Sequence, residues 1–309
     1  MPHALASSIA GLVALVALAP SGAPGKQDQR TRTVYVSVTD KNGTAITDMQ
    51  ADEFEVKEAG KPREIARASA ATLPLRIVLL VADQGTGAFQ LGLARFMQRL
   101  LGHAEFQLVS VIVQPEKLTD FSHEGRDLSA ALNRLGPRGR ERGAQLMEAI
   151  QDATRDVQHD DRRPVIVVMR LGGEAASSIT GDDVRQQLRR SGAALYVISA
   201  AGAQGVAPPQ ATGTDAVSVQ QGHLRDSELA EGAFNLAQVL GDGAQESGGR
   251  HDQVIATTHA KALEQIANEL LHQYEIAYVS ADGVKPGDKL SVSSRRKGVT
   301  VRAPSRVSM

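Results

Sequence analysis

One aspartate, Asp83, ends an apolar run and is followed by two glycines flanking a threonine, in LRIVLLVADQGTGAFQ (75–90). A carboxylate between a buried strand and a Gly-rich turn into a helix suits four chemistries: metal ligand, nucleophile, nucleotide anchor, or cap accepting backbone N–H bonds. A haloacid-dehalogenase-like phosphatase needs a second aspartate two residues on, and Gly85 stands there. The stretch GTGAFQ lacks the third glycine of a dinucleotide loop. There is no G-x-x-x-x-G-K-[ST] phosphate loop and no G-x-S-x-G nucleophile elbow. His251 and His259 are eight residues apart across a predicted strand-to-helix passage, outside any H-E-x-x-H motif. HDDRR (159–163) reads as a solvated loop before a strand at Pro164, and Asp182 and Asp183 as N-terminal capping residues of a helix carrying Val184 and Leu188. Tyr274 and Tyr278 read as packing residues, so no catalytic residue is assigned.

The elements that must position Asp83 follow from periodicity. TVYVSVTDKNGTAI alternates Val34, Val36 and Val38 on one face and meets an Asn42-Gly43 turn; DEFEVKEAGKPREI continues as β structure. YEIAYVS, KLSVSS and VTVRAP near the C-terminus have the same character. The two ends are therefore expected to pair into one small β-sandwich-like module. Between them LRIVLLVAD, QLVSVIV, PVIVVM and ALYVIS are the near-continuous apolar runs of strands buried on both faces of a parallel sheet. Helical faces fit between them: Phe89, Leu93, Phe96, Met97 and Leu100; Leu146, Ile150, Ala153 and Val157; Leu263, Ile266, Ala267 and Leu270. The fold class is α/β, a doubly wound, mostly parallel, Rossmann-like sheet inserted in the β module.

Formal charge is −1, from 34 basic and 35 acidic residues with no long run of one sign, so no electrostatic footprint for nucleic acid is visible. With no Trp, 4 Tyr and 6 Phe, base-stacking platforms have no support. The absence of cysteine excludes disulfides, thiolate metal sites and cysteine catalysis. Ile9 to Ala19 has the length and apolarity of a signal-peptide core and is too short to span a bilayer. The expected plan is a signal peptide (1–25), a linker (26–32), the first part of the β module (33–72), the α/β domain (73–272) with a long surface excursion (200–249), the second part of the β module (273–303), and a tail (304–309). The mature chain is expected to be exported, periplasmic or secreted, with no transmembrane segment.

The ordered set of VYVSVTDKNGTAITDMQADEFEVKEAGKPREI, PLRIVLLVAD, SGGR (247–250) and ALEQIANELLHQYEIAYVS resembles the bacterial VWFA-related secreted proteins, over roughly residues 32 to 303. The resemblance implies a von Willebrand factor A (VWA) domain inserted between two parts of a β module. It also implies a metal-ion-dependent adhesion site: D-x-S-x-S after the first strand, a threonine on a later loop, and an aspartate after the fourth strand. Asp83 matches the first position, but Gly85 and Gly87 take the serine positions, Ala144 the threonine and Leu171 the second acid. One carboxylate of the set remains.

Three readings of Asp83 stay open: an ion pair with Arg170 in place of the cation, a cap on the following helix, or a rebuilt cation site drawing on Thr86, Glu148 and Glu174. The expected function is non-catalytic and metal-independent, with no cofactor. Gln84, Thr86, Arg142, Gln145 and Glu174 are the candidate surface for a protein or envelope macromolecule. The alternatives are an envelope assembly subunit pairing through a β-module edge at 33–39 or 289–303, cation-dependent adhesion, and an enzyme of unknown class.

Overall fold

Val34, Val36 and Val38 are buried on one side of β1 (Thr31–Thr39), as period-two alternation requires. The structure is a computed structural model and describes residues 31–135, 145–172, 177–201, 230–255 and 257–307. The expected signal peptide and most of the linker lie outside the described residues. A 3₁₀ turn (Ala51–Glu53) leads into β2 (Phe54–Glu58), β3 (Lys61–Arg63) and β4 (Ile65–Ala70). The pair β2 and β3 forms a hairpin, whereas β1 and β4 find their partners only in the last part of the chain.

The apolar runs become β5 (Leu75–Ala82), β6 (Ala104–Val111), β8 (Arg163–Leu171) and β9 (Ala194–Ala201); β7 is the short strand Pro115–Lys117 and β10 is Arg250–Ile255. They form one sheet in the order β10-β9-β8-β5-β6-β7, parallel except for β7. Strand order reverses between β5 and β8, and Asp83 immediately follows β5 there. Ile77, Leu79 and Val81 enter one core layer with α1 (Gln90–Leu100), α2 (Gly125–Asn133) and α6 (His259–Leu271). Val78, Leu80 and Ala82 enter the other, with α3 (Leu146–Asp156), α4 (Gly181–Ser191) and the helix α5 (230–246). Continuous apolarity in the sequence is thus the signature of two buried faces.

Part of the expected surface excursion is core. Residues 202–229 lie outside the described residues, but Leu236, Val239, Leu240 and Ala244 of α5 are buried in the second layer. A π-helical turn (Val239–Gly243) interrupts α5, and its wider spacing obscures the 3.6-residue pattern in the sequence.

From α6 the chain passes directly into β11 (Tyr274–Val279), then β12 (Leu290–Ser294) and β13 (Thr300–Arg302). These complete two small sheets, β13-β1-β11-β4 and β12-β2-β3. Their shared core includes Val34, Val36, Phe54, Val56, Tyr274, Ile276 and Tyr278, so both tyrosines are packing residues. The pairing of β1 with both β11 and β13 puts 33–39 inside a sheet, which corrects its reading as a candidate edge. The edge strands are instead β4, β13, β12 and β3. Residues 304–307 are not a free tail. Ser305 N–H donates to Glu246 O at 2.8 Å, and Val307, 3 % exposed, packs in the β-module core.

The SGGR stretch stitches the two modules together. Ser247 Oγ accepts from Leu195 N at 2.9 Å and donates to Ala244 O at 2.8 Å. A side chain at Gly249 would place its Cβ 1.9 Å from Leu195 O, so only glycine lets β9 and β10 approach. Arg250 donates to Glu269 at 2.9 Å, and Arg302 of β13 grips the same carboxylate through two bonds, at 3.0 and 2.6 Å. Tyr196 supplies a further hydroxyl at 3.1 Å. Glu269 is 2 % exposed, and two guanidiniums with three charge-assisted bonds offset the cost of burying it.

Candidate functional site: the crown of the sheet

In an open α/β sheet the carboxyl ends of the strands form the crown where ligands bind, with the switch point at its centre. Asp83 sits there with 1 % of its surface exposed. Its Oδ1 accepts from Gly85 N at 3.0 Å and its Oδ2 from Gly87 N at 2.6 Å. Both glycines have φ of 71°, a conformation that aims successive N–H groups at one carboxylate and that side chains resist. Thr86 Oγ1 donates to Asp83 O at 2.8 Å, closing the turn from the other side.

This geometry corrects two of the expectations. The ion pair between Asp83 and Arg170 is not formed: Arg170 pairs in register with Ala82, so the two side chains leave the sheet on opposite faces. Strand alternation sends Arg170 to the Ile166 and Val168 side of β8. Nor does Asp83 cap a helix, since the N-cap of α1 is Phe89 and no side chain caps it. The aspartate braces its own turn instead. Leu171, at the second acid position, is the last residue of β8 and packs against the first core layer.

The other candidates divide. Arg142, Ala144 and Glu174 lie outside the described residues. Gln84 holds a positive φ of 58° and its amide donates to Gly172 O, tying the β5 loop to the end of β8. Gln145 is the N-cap residue of α3, and its backbone N–H donates to Val113 O at 2.9 Å. Glu148 Oε1 accepts from Ser178 N at 2.8 Å and Ser177 Oγ at 3.0 Å, which fastens the segment before α4 to α3. Thr86 and Glu148 therefore serve loop structure. Among the described residues no group of three or more His, Asp or Glu is placed to hold a metal ion. A hard cation needs several oxygens. The Asp83 turn directs N–H hydrogens at its single carboxylate, and that donor set does not fit one.

At the start of α4 the N-cap is Thr180, whose hydroxyl accepts from Asp183 N at 3.2 Å while Asp182 pairs with Arg185 at 3.3 Å. The expected capping thus belongs chiefly to Thr180. Sequence reasoning did not connect His251 with Ser199, which meet on neighbouring strands at 2.8 Å. Burial, and then the positive charge of Arg170, lowers the His251 pKa below its ordinary value of 6.5, favouring the neutral ring. The only signal available was their shared parity on two adjacent predicted strands.

Exposed apolar side chains mark the crown as well. Of the five large hydrophobic residues exposed among the described residues, Leu91, Val113 and Ile255 stand in the first turn of α1, just beyond β6, and at the end of β10. All three belong to the end of the sheet that carries Asp83.

Together these features describe a class: a doubly wound, mostly parallel α/β domain carried on a β module built from both flanks of the chain. No protein-family model matches the sequence, and a search of the curated proteins finds no match. Solved structures similar to it include the conserved hypothetical protein BatB from Bacteroides thetaiotaomicron, at 13 % identity, covering 63 % of this chain and 97 % of that one with a TM-score of 0.41. The SpRpn10 VWA domain is similar at 14 % identity, covering 60 % of this chain and 88 % of that one, with a TM-score of 0.36. The pilus adhesin SpaC from Lactobacillus rhamnosus GG is similar at 9 % identity, covering 88 % of this chain and 47 % of that one, with a TM-score of 0.46. Among the described residues no helix is long and apolar enough to cross a membrane.

Proposed function

We propose that this chain is a non-catalytic, exported interaction module whose crown binds a protein partner without a divalent cation. The observation that carries the reading is the combination at one end of the sheet of a self-satisfied Asp83 turn and the exposed Leu91, Val113 and Ile255. Apolar side chains exposed beside polar loops at one end of a sheet suit a protein interface, whose buried centre is depleted of charge. The Gln84–Gly172, Gln145–Val113 and Glu148–Ser178 bonds tie the described residues of the crown to one another, which lowers the ordering entropy those residues lose on binding. Export is supported by the apolar Ile9 to Ala19 stretch.

The test is a titration of Mg²⁺, Mn²⁺ and Ca²⁺ into chelator-treated protein, followed by calorimetry and thermal melting, with Asp83→Ala as control. The expected result is no saturable heat from either protein. Saturable binding lost in Asp83→Ala would make cation-dependent adhesion the better reading. Retention of partner proteins by the immobilised chain should survive chelator and fall in Leu91→Asp and Ile255→Asp; a catalytic turnover assigned to the crown would overturn the non-enzymatic part.

A further inference from the structure

At the opposite end of the sheet a cavity of about 530 Å³ opens along the seam between the α/β domain and the β module. Seven arginines line it, against two carboxylates, Asp160 and Glu246. Some of this charge is balanced. Arg185 and Arg189 share Glu246, at 2.6 and 3.4 Å, while Arg32 and Arg162 each approach a carboxylate only at 3.9 Å. The remaining three, Arg163, Arg190 and Arg306, have no carboxylate within ion-pair distance among the described residues.

Arg163 is the most telling of the three. It is 5 % exposed, and its guanidinium is held by neutral acceptors: Leu73 O at 2.7 Å, Leu270 O at 3.1 Å and Gln273 Oε1 at 2.8 Å. Those bonds use Nε and Nη1, and among the described residues no acceptor is bonded to Nη2. The Tyr35 ring also faces this guanidinium, at 5.7 Å, and a buried charge without a carboxylate at ion-pair distance is stabilised further by any anion that reaches it. Arg190 stands in the last turn of α4 and is exposed; Arg306 comes from the β module, is exposed, and bonds only Gly287 O. The unbalanced charge thus comes from both walls of the seam.

We propose that the seam cavity is a binding site for a small molecule bearing two or more oxyanion groups, phosphate or carboxylate, held by Arg163, Arg190 and Arg306. The volume suits a small molecule, and guanidinium forks match both kinds of oxyanion. Three unbalanced cations exceed what one monoanion neutralises. Because the arginines belong to both modules, the ligand bridges them and raises the stability of the pair.

The experiment is calorimetric titration of the full chain with sodium pyrophosphate and with citrate at fixed ionic strength, sodium chloride serving as the matched control. Saturable binding of either ligand is expected, together with an upward shift in melting temperature. Arg190→Glu and Arg306→Glu should each weaken it tenfold or more, and Arg190→Gln should weaken it less, in the same direction. Asp83→Ala, at the crown, should bind as the unaltered chain does. No saturable heat from either ligand up to millimolar concentration overturns the proposal, as does a response that chloride reproduces or affinity unchanged in both charge reversals.

Discussion

Each end of the α/β sheet buries charge, and Asp83 at one end and Arg163 at the other are settled differently. At the crown, Asp83 is held by the amides of Gly85 and Gly87 from its own turn, within four residues of sequence. At the seam, Arg163 is held by carbonyl and amide oxygens from Leu73, Leu270 and Gln273, about a hundred residues away on either side. The first is a local device that shapes a loop. The second is a long-range clamp that gathers the two connections between the modules. The contrast teaches where stability and surface chemistry reside: the crown is neutralised from within, while the seam carries both the inter-module bonds and a surplus of positive charge.

The sharpest way to break this contrast is to remove the seam's central carboxylate. Glu269→Ala leaves Arg250 and Arg302 without their shared partner and should cost about 3–5 kcal/mol in denaturant unfolding. Arg163→Met comes next at about 3 kcal/mol, because it strands two buried acceptors and one part-buried one. Asp83→Ala should cost less, about 1–3 kcal/mol, since it frees two loop amides, one buried and one partly exposed. If Asp83→Ala proves costlier than Arg163→Met, the assignment of long-range stability to the seam fails.

Smaller effects sharpen the picture. The folded-state pKa of His251 is depressed by burial and by Arg170, with Asp252 opposing and Ser199 as its hydrogen-bond partner. Its contribution to stability is therefore complete above the unfolded value near 6.5 and is lost as pH falls through the folded value. Melting curves between pH 7.5 and about 5 should show this loss, and His251→Gln should flatten it. Least of all, Arg190→Glu should leave unfolding free energy within about 0.5 kcal/mol of the unaltered chain, since an unpaired surface charge is being exchanged.

The architecture was largely legible because its signals are local. Continuous runs such as LRIVLLVA mark doubly buried strands, and the alternation of Val34, Val36 and Val38 marks the apolar face of β1, although Ser37 and Thr39 on its other face are buried as well. At the crown the sequence identified Asp83 and its missing partners, but not what the carboxylate does: a helix cap, an ion pair and a braced turn all begin with an aspartate before glycine. The seam was illegible. Its arginines, at positions 32, 162, 163, 185, 189, 190 and 306, form nothing longer than two adjacent pairs, and only folding collects them. HDDRR read as a solvated loop, yet its last arginine starts β8 and is buried, because the neck between modules lies over that strand end. Arg163 therefore corrects that expectation, while His159, Asp160 and Asp161 remain exposed.

The clamp at Arg163 also bears on the order of assembly. Ala70 and Tyr274 are paired across β4 and β11, although roughly 200 residues of chain separate them. Closing so long a loop early is slow, and β1 would meanwhile wait with its hydrogen-bonding edges unpaired. Once the α/β domain has folded, Arg163 holds Leu73 and Leu270 to one point, and the long loop becomes a short one. Nucleation then belongs to the inserted domain, and the β module, though it is reached first in the chain, is completed last.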